Sequence, residues 1–249
     1  MKISGCIITY NEEDRIEDAL KSLEGVVDEI VVVDAFSKDR TPSIVQSYGV
    51  RFFQREWDGY ASQKNFAISQ AKYPWILSID ADERLSEKLK EEIIKIKEGE
   101  PDSDGFAFKR KTFYLGKWIK HSGWYPDKKI RLFRKNSAYW EGDFVHEKLV
   151  FNGKVKNLEG ELLHYSYRNL SDHILRIERY STLSAQKMDK EGEKSSYFKI
   201  FFLPLLTFFR DFILKGGFLD GIHGLIISLF SSYYVFLKFA KLYEIQREK

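Results

Sequence analysis

The stretch WILSIDADERLSEKLKEEI, residues 75–93, changes character halfway along. Trp75 to Ile79 is apolar apart from Ser78, and Asp80, Asp82 and Glu83 follow within four positions. From Ser86 the pattern is that of an amphipathic helix, with Ser86 as its N-cap. An apolar strand running into polar residues and then a helix is the βα unit of a parallel sheet, whose interior strands are apolar on both faces. Three carboxyl groups in four positions repel one another and gain little from packing. They imply a positively charged partner.

The same unit repeats upstream. KISGCIIT and DEIVVVDA read as strands, each followed by a helix: NEEDRIEDALKSLEG with Asn11 as cap, and DRTPSIVQSYG with Thr41 as cap and Pro42 at its first position. VRFFQR, the helix YASQKNFAISQA and PWILSID complete the alternation. The expected fold class is therefore α/β, with a mostly parallel central sheet. In such sheets ligands bind outside the carboxyl ends of the strands, and the polar clusters TYNEE, DAFSKD and DADE sit there. No G-x-G-x-x-G or Walker A pattern occurs, which excludes the standard dinucleotide and P-loop sites. From about Asp104 strands follow one another without helices, predicting a mixed, partly antiparallel extension. A helix over SDHILRIERYSTLSAQKMDKEG, with Ser171 as cap, and two aromatic-rich helices follow.

The 249 residues can bury a sizeable core, and 5 prolines without a low-complexity run argue against long disorder. A net charge of +3 is too small to indicate nucleic acid. Cys6 is the single cysteine, so no internal disulfide can form, and ISGCII suggests a buried thiol in a reducing compartment. The first apolar run is too short for a signal peptide, so a cytoplasmic location is expected.

Asp80 and Asp82, two apart at a strand end, can point to the same side. Paired carboxylates suit Mg2+ or Mn2+, which take one or two of them and complete their shell with water and phosphate oxygens. The alternative is a solvated helix start, where acids complement the N-terminal dipole.

The combination is more specific than any part. ITYNEEDRIEDALKSL, EIVVVDAFSKDRT, KNFAI and ILSIDADE, in this order, resemble the N-terminal half of family 2 glycosyltransferases, which have the GT-A fold. GWYPDKKIRLFRK, GDFVHEKL, HYSYRNLSDHILRIERYSTLSAQ and GGFLDGIHGLIISLFSSYYVFLKFAKLYE extend the likeness over almost the whole chain, to the bacterial lipopolysaccharide-core β-glucosyltransferases. Three regions are expected: 1–115 binding the nucleotide sugar and 116–190 facing the acceptor, as the resemblance implies, and 191–249, aromatic-rich and helical, associating with a membrane by its composition. The resemblance implies that Thr9, Tyr10, Asn11 and Glu12 hold base and ribose, and that Asp34 accepts from a uracil N–H. Lys64 stands near the nucleotide, as a point charge where many relatives carry the forked Arg. Asp80 serves ribose or metal, and Asp82 ligates the metal. Glu147 is the first candidate for the general base that takes the acceptor proton, with Asp127 in reserve. His146 is a metal or phosphate ligand or assists proton transfer. Arg131 is the phosphate contact, while Arg134, three residues on, faces the other way in a strand. Trp118, Trp124, Tyr125 and Trp140 suit sugar stacking or core packing. His164 reads as a satisfied sheet histidine, and Glu83 as a helix-start charge.

The C-terminal segment 197–241 carries five cations against Asp211 and Asp220, amid many Phe, Leu and Tyr residues. Its longest uncharged run, 221–237, is at the short edge for a membrane span. Aromatics mixed with excess positive charge suit helices lying on an anionic membrane surface. The leading expectation is a metal-dependent, inverting transferase on the cytoplasmic membrane face. It would move a hexose, glucose from a UDP-sugar, to a lipid-linked saccharide such as lipopolysaccharide inner core. The alternatives are a sugar nucleotidyltransferase, which would want a Gly-rich basic loop where TYNEEDR is acidic, and a non-catalytic membrane-docking scaffold.

Overall fold

The computed structural model describes residues 1–142 and 147–247. Its elements are β1 (Ile3–Thr9), α1 (Ile16–Leu23), β2 (Glu29–Asp34), α2 (Thr41–Ser47), β3 (Arg51–Gln54), α3 (Tyr60–Gln70), β4 (Trp75–Asp80), β5 (Glu83–Leu85), α4 (Glu87–Glu98), β6 (Gly105–Tyr114), β7 (Lys117–Trp118), β8 (Asp127–Arg134), β9 (Ala138–Glu141), β10 (Lys148–Phe151), β11 (Val155–His164), α5 (Leu170–Lys190), α6 (Tyr197–Phe209) and α7 (Ile222–Arg247). They gather into two compact units, residues 1–110 with 128–164 and residues 111–127 with 165 onward.

The strand order is β3-β2-β1-β4-β8-β6-β11-β5. β1 lies parallel to β2 and β4, and β2 parallel to β3. β8 returns antiparallel to β4, and β5 pairs antiparallel with β11. The α/β sheet is thus parallel where the chain alternates strand and helix, and mixed where helices stop. β9 and β10 form a separate antiparallel pair.

The first unit buries apolar side chains on both faces of this sheet. Ile7, Leu77 and Ile79 pack with Leu20 and Leu23 of α1 and Leu89 and Ile93 of α4. Cys6, Val31, Val33 and Ile76 pack with Ala67 and Ile68 of α3. Cys6 is buried as expected, and burial pushes its thiol up to about 12.

Asp28 closes the edge of this core. It accepts from Lys2 Nζ at 2.7 Å and Ile3 N at 2.9 Å, and it pairs with Lys97 of α4 at 2.9 Å. Burial alone would raise its pKa, but these partners outweigh it and hold Asp28 at about 2. A carboxylate whose folded pKa is depressed stabilises above its unfolded pKa, and that contribution fades as pH falls through the folded value. Asp28→Asn should therefore lose about 1–2 kcal/mol at neutral pH, with the gap to the wild type shrinking to about half near pH 3. Urea titrations at pH 7 and at acid pH measure both.

Four expectations are corrected locally. Asn11 does not cap α1; its backbone is left-handed, at φ 53°, and its Oδ1 accepts from Lys38 N at 2.8 Å. Thr41 lies inside α2, and its Oγ1 accepts from Glu12 N at 2.9 Å. Asn169, not Ser171, caps α5 by accepting from Asp172 N at 2.9 Å. Glu83 is no helix-start charge but a fully buried residue of β5, opposite His164 of β11.

In the second unit, Tyr114 anchors an aromatic cluster with Trp124, Tyr167 and His173. The Tyr114 hydroxyl lies 2.8 Å from His173 Nδ1, and burial, reinforced by Arg176, brings His173 down to about 4. Trp118 packs on Phe113 and Tyr165. α6 and α7 are joined by a π-turn over Arg210–Leu214 and a 3-10 turn over Gly217–Asp220. On length and composition alone, α7 is long and apolar enough to cross a membrane.

Candidate active site

Register places the polar strand ends side by side: Thr9 opposite Asp34, and Ile8 opposite Asp80. β1 lies between β2 and β4, where successive connections leave in opposite directions. This is the switch point at which open parallel sheets form their ligand crevice.

The loops after β1 and β2 are sewn together. Asn11 N donates to Ser37 Oγ at 2.8 Å, and Ala35 N to the Thr9 carbonyl at 2.9 Å. Asp34 is fully buried; it accepts from Ser37 N at 2.9 Å, from Gln54 Nε2 at 3.2 Å and from the Ser37 hydroxyl. Phe36 joins Asn11 in the left-handed region, at φ 59°, which a bulky side chain adopts only when its surroundings hold it there. Asp34, Asn11 and Glu12 thus fix the shape of this double loop. Tyr10 stands 54% exposed on it, and Thr9 Oγ1 is buried without a hydrogen-bond partner among the described residues.

The acids of DADE separate into two groups. Asp80 Oδ1 pairs with Lys64 Nζ of α3 and Asp80 Oδ2 with Arg131 Nη2 of β8, both at 2.9 Å. The same Arg131 nitrogen lies 2.9 Å from Glu83 Oε1, and Glu83 Oε2 accepts from Asp80 N at 3.0 Å. Arg110 reaches Glu83 at 3.5 Å. Lys64 Nζ continues to Glu147 Oε1 at 3.3 Å, so one buried ammonium bridges Asp80 and Glu147. Trp140 covers these cations, its ring centroid 4.3 Å from Lys64 Nζ and 5.7 Å from the Arg131 guanidinium carbon. Burial would raise the Asp80 pKa, but Lys64 and Arg131 outweigh it and hold the carboxyl well below its ordinary range. Arg131 keeps Nε and Nη1 buried without hydrogen-bond acceptors among the described residues. Two buried unmatched donors are costly, and an anionic ligand oxygen would satisfy them.

Asp82 belongs to the second group. Its Oδ2 lies 3.4 Å from His164 Nε2 and 3.8 Å from Arg15 Nη1. Burial would raise its pKa, and His164 followed by Arg15 brings it below the ordinary value. Neither contact is a close hydrogen bond. Asp82 Oδ2 and His164 Nε2, 3.4 Å apart, are a carboxylate and an imidazole, donor types that would suit a divalent cation such as Mn2+. Among the described residues no group of three or more His, Cys, Asp or Glu side chains is gathered for a metal, which leaves this two-donor set.

Of the residues singled out in the sequence, Thr9, Tyr10, Asn11, Glu12, Asp34, Lys64, Asp80, Asp82, Arg131 and Glu147 all belong to the first unit. Asp127, the first residue of β8, belongs to the second. His146 lies outside the described residues. Arg134 turns outward to Asp104 at 3.3 Å. Arg15 and Arg110 join the site without being singled out in the sequence, and Glu83 and His164 join it where the sequence reads a helix-start charge and a satisfied sheet histidine. The latter two come to the site through the β5–β11 pairing, and no local pattern announces them.

Comparison with known proteins shows the family of the chain. The family model for glycosyl transferase family 2 matches residues 4–151. A lipopolysaccharide core biosynthesis glycosyltransferase, LpsC, of Rhizobium meliloti (strain 1021) is 33% identical over 98% of this chain and 93% of its own. An uncharacterized glycosyltransferase of Rickettsia typhi is 33% identical over 98% of this chain and 87% of its own. Among solved structures, S. aureus TarS 1-349 in complex with UDP-GlcNAc aligns with all of this chain and 92% of that one, at 18% identity and a TM-score of 0.48. The family match covers more than half of the chain, including the ends of β1, β2 and β4, and the LpsC likeness runs through both units; this chain belongs to glycosyl transferase family 2.

Proposed function

We propose that the protein transfers a hexose, glucose from UDP-glucose, onto a membrane-held saccharide of the lipopolysaccharide-core type, with inversion at the sugar carbon. The observation that carries the reading is the Asp80–Lys64–Glu147 chain, which joins the donor-side carboxylate of β4 to a carboxylate suited to act as base. The LpsC likeness supports the acceptor class. The aromatic C-terminal helices support work on the cytoplasmic membrane surface, where a lipid-linked acceptor resides.

In this reading Tyr10 and the loop fixed by Asn11, Glu12 and Asp34 receive base and ribose, and the unmatched Arg131 donors take a diphosphate oxygen. Asp82 and His164 would hold Mn2+ or Mg2+, a mixed carboxylate and imidazole set favouring Mn2+, and with it would supply positive charge against that growing on the leaving diphosphate. Asp80 stays with Lys64 and Arg131 and fixes where those cations stand. Glu147 removes the acceptor hydroxyl proton as that oxygen bonds to the anomeric carbon. The bond from that carbon to the diphosphate oxygen breaks, and UDP departs with the electron pair.

Incubation with Mn2+ and a panel of nucleotide sugars, read as nucleoside diphosphate release with and without delipidated core saccharide, tests the proposal. UDP release from UDP-glucose, stimulated by saccharide, is expected. Pyrophosphate release from UTP and a sugar phosphate would identify a nucleotidyltransferase instead. No turnover with any donor would leave a scaffold.

A further inference from the structure

The second unit carries an apolar surface that its own fold does not cover. Phe198, Phe201, Phe202, Leu205, Leu206 and Phe209 form one stripe along α6, each 47–64% exposed. The stripe continues through the turns at Leu214, 70% exposed, and Leu219, 60% exposed, to Ile222 at the start of α7. A helix in water turns its apolar stripe inward, and one this continuous facing outward needs a cover.

Cations ring the turn end of the stripe. Asp211 is buried between Arg210 Nε at 2.8 Å and Lys215 Nζ at 3.2 Å. Asp220 is buried too, accepting from His121 N at 2.8 Å and Lys120 N at 3.1 Å, with Lys117 Nζ 3.7 Å from its other oxygen. The turn folds back closely: a Cβ on Gly224 would lie 1.8 Å from the Gly217 carbonyl, and one on Gly123 2.6 Å from Lys215 Nζ. Two buried carboxylates therefore hold the charged heads of cations whose side chains remain about half exposed, 52% at Arg210, 42% at Lys215 and 40% at Lys117, which leaves their remaining N–H donors to an outside anion. Lys120 stands exposed beside them.

We infer that the α6–α7 hairpin lies in the surface of an anionic phospholipid bilayer, with the α6 stripe and the Leu214–Ile222 turn among the acyl chains and Arg210, Lys215, Lys117 and Lys120 bonding headgroup phosphates. This rests on the reading that the acceptor is membrane-held. Charge selects the occupant. The negative charge of this segment is buried and its positive charge exposed, so two copies meeting on the stripe would bring cations together. A soluble phosphate would use the cations and leave the stripe bare. A leaflet of anionic lipid matches both at once.

The full chain is tested on vesicles of phosphatidylcholine, with and without phosphatidylglycerol. Leu214→Cys accepts an environment-sensitive fluorophore selectively, because Cys6 is buried and its thiol pushed up to about 12. Lys88→Cys, exposed on α4, is the control. The probe at 214 should move to an apolar environment only when anionic vesicles are added, while the probe at 88 stays in water. The Lys117→Gln/Lys120→Gln/Lys215→Gln variant, which leaves Arg210 on Asp211, should bind anionic vesicles about a hundredfold more weakly. Its UDP-sugar hydrolysis in solution should be unchanged. Wild-type binding with an unresponsive probe at 214, or with the triple variant binding as the wild type, overturns this placement and leaves the membrane-held acceptor standing. A probe already shielded in a lipid-free dimer also overturns it, in favour of a second copy. No binding of the wild type to either vesicle overturns it together with the membrane-held reading.

Discussion

Asp82→Ala is expected to lower kcat/KM for sugar transfer by at least about a thousandfold while the protein stays folded. The effect follows from the position of Asp82 outside the ion-pair core. Asp80 and Glu83 are engaged by Lys64, Arg131 and Arg110, and removing either would strand buried cations. Among the described residues Asp82 makes the longer contacts to His164 and Arg15, at 3.4 and 3.8 Å, so its loss disturbs packing little. Its pKa is held below the ordinary range, so the carboxylate stays ionised, and in the proposed mechanism it would form with His164 the donor pair for a divalent ion. Calorimetric titration with Mn2+ separates this from a general loss of fold. Asp82→Ala and His164→Ala should each weaken Mn2+ binding in the absence of donor, with unchanged thermal unfolding. Normal turnover by Asp82→Ala, or wild-type Mn2+ affinity in both variants, would remove the metal from these residues.

How far the sequence carried the fold depends on how local each signal is. Strands β1, β2 and β4 are apolar runs ending in polar clusters, and chain order alone places their ends in one crevice. β5 is three residues long and pairs with a strand about eighty residues on, so Glu83 read locally is an acid before a helix. In the fold it is buried under Arg131 and positions Asp80. The Asp82–His164 contact depends on the same pairing. Asn11 shows the opposite limit: its sequence context favours a cap, but Lys38 N on the neighbouring loop supplies a competing donor that local sequence cannot reveal. The membrane reading is a proposal that rests on composition. Which side of α6 stays uncovered was not legible, since α6 is apolar nearly all round and only packing chooses the buried face.

Glu147→Gln should lower kcat by about a hundred- to ten-thousandfold, the range of a lost general base, with donor affinity near that of the wild type. The glutamine carbonyl can still accept from Lys64 Nζ, so the Asp80–Lys64 pair and the cover of Trp140 should survive. What disappears is the capacity to take a proton. A loss confined to kcat, with KM for the acceptor retained, would mark an interaction made in the transition state, whereas a rise in KM alone would make Glu147 a binding residue. Asp127→Asn supplies the contrast, because Asp127 is the other carboxylate that sequence proposes as base. If Glu147 is the base, Asp127→Asn keeps most of its kcat. If that variant is the inactive one, the base is Asp127, and the Lys64–Glu147 ion pair then serves only to hold Lys64 against Asp80. Lys64→Met distinguishes these further: it unbinds Asp80 and Glu147 from each other, so it should damage donor affinity and kcat together, where Glu147→Gln damages kcat alone.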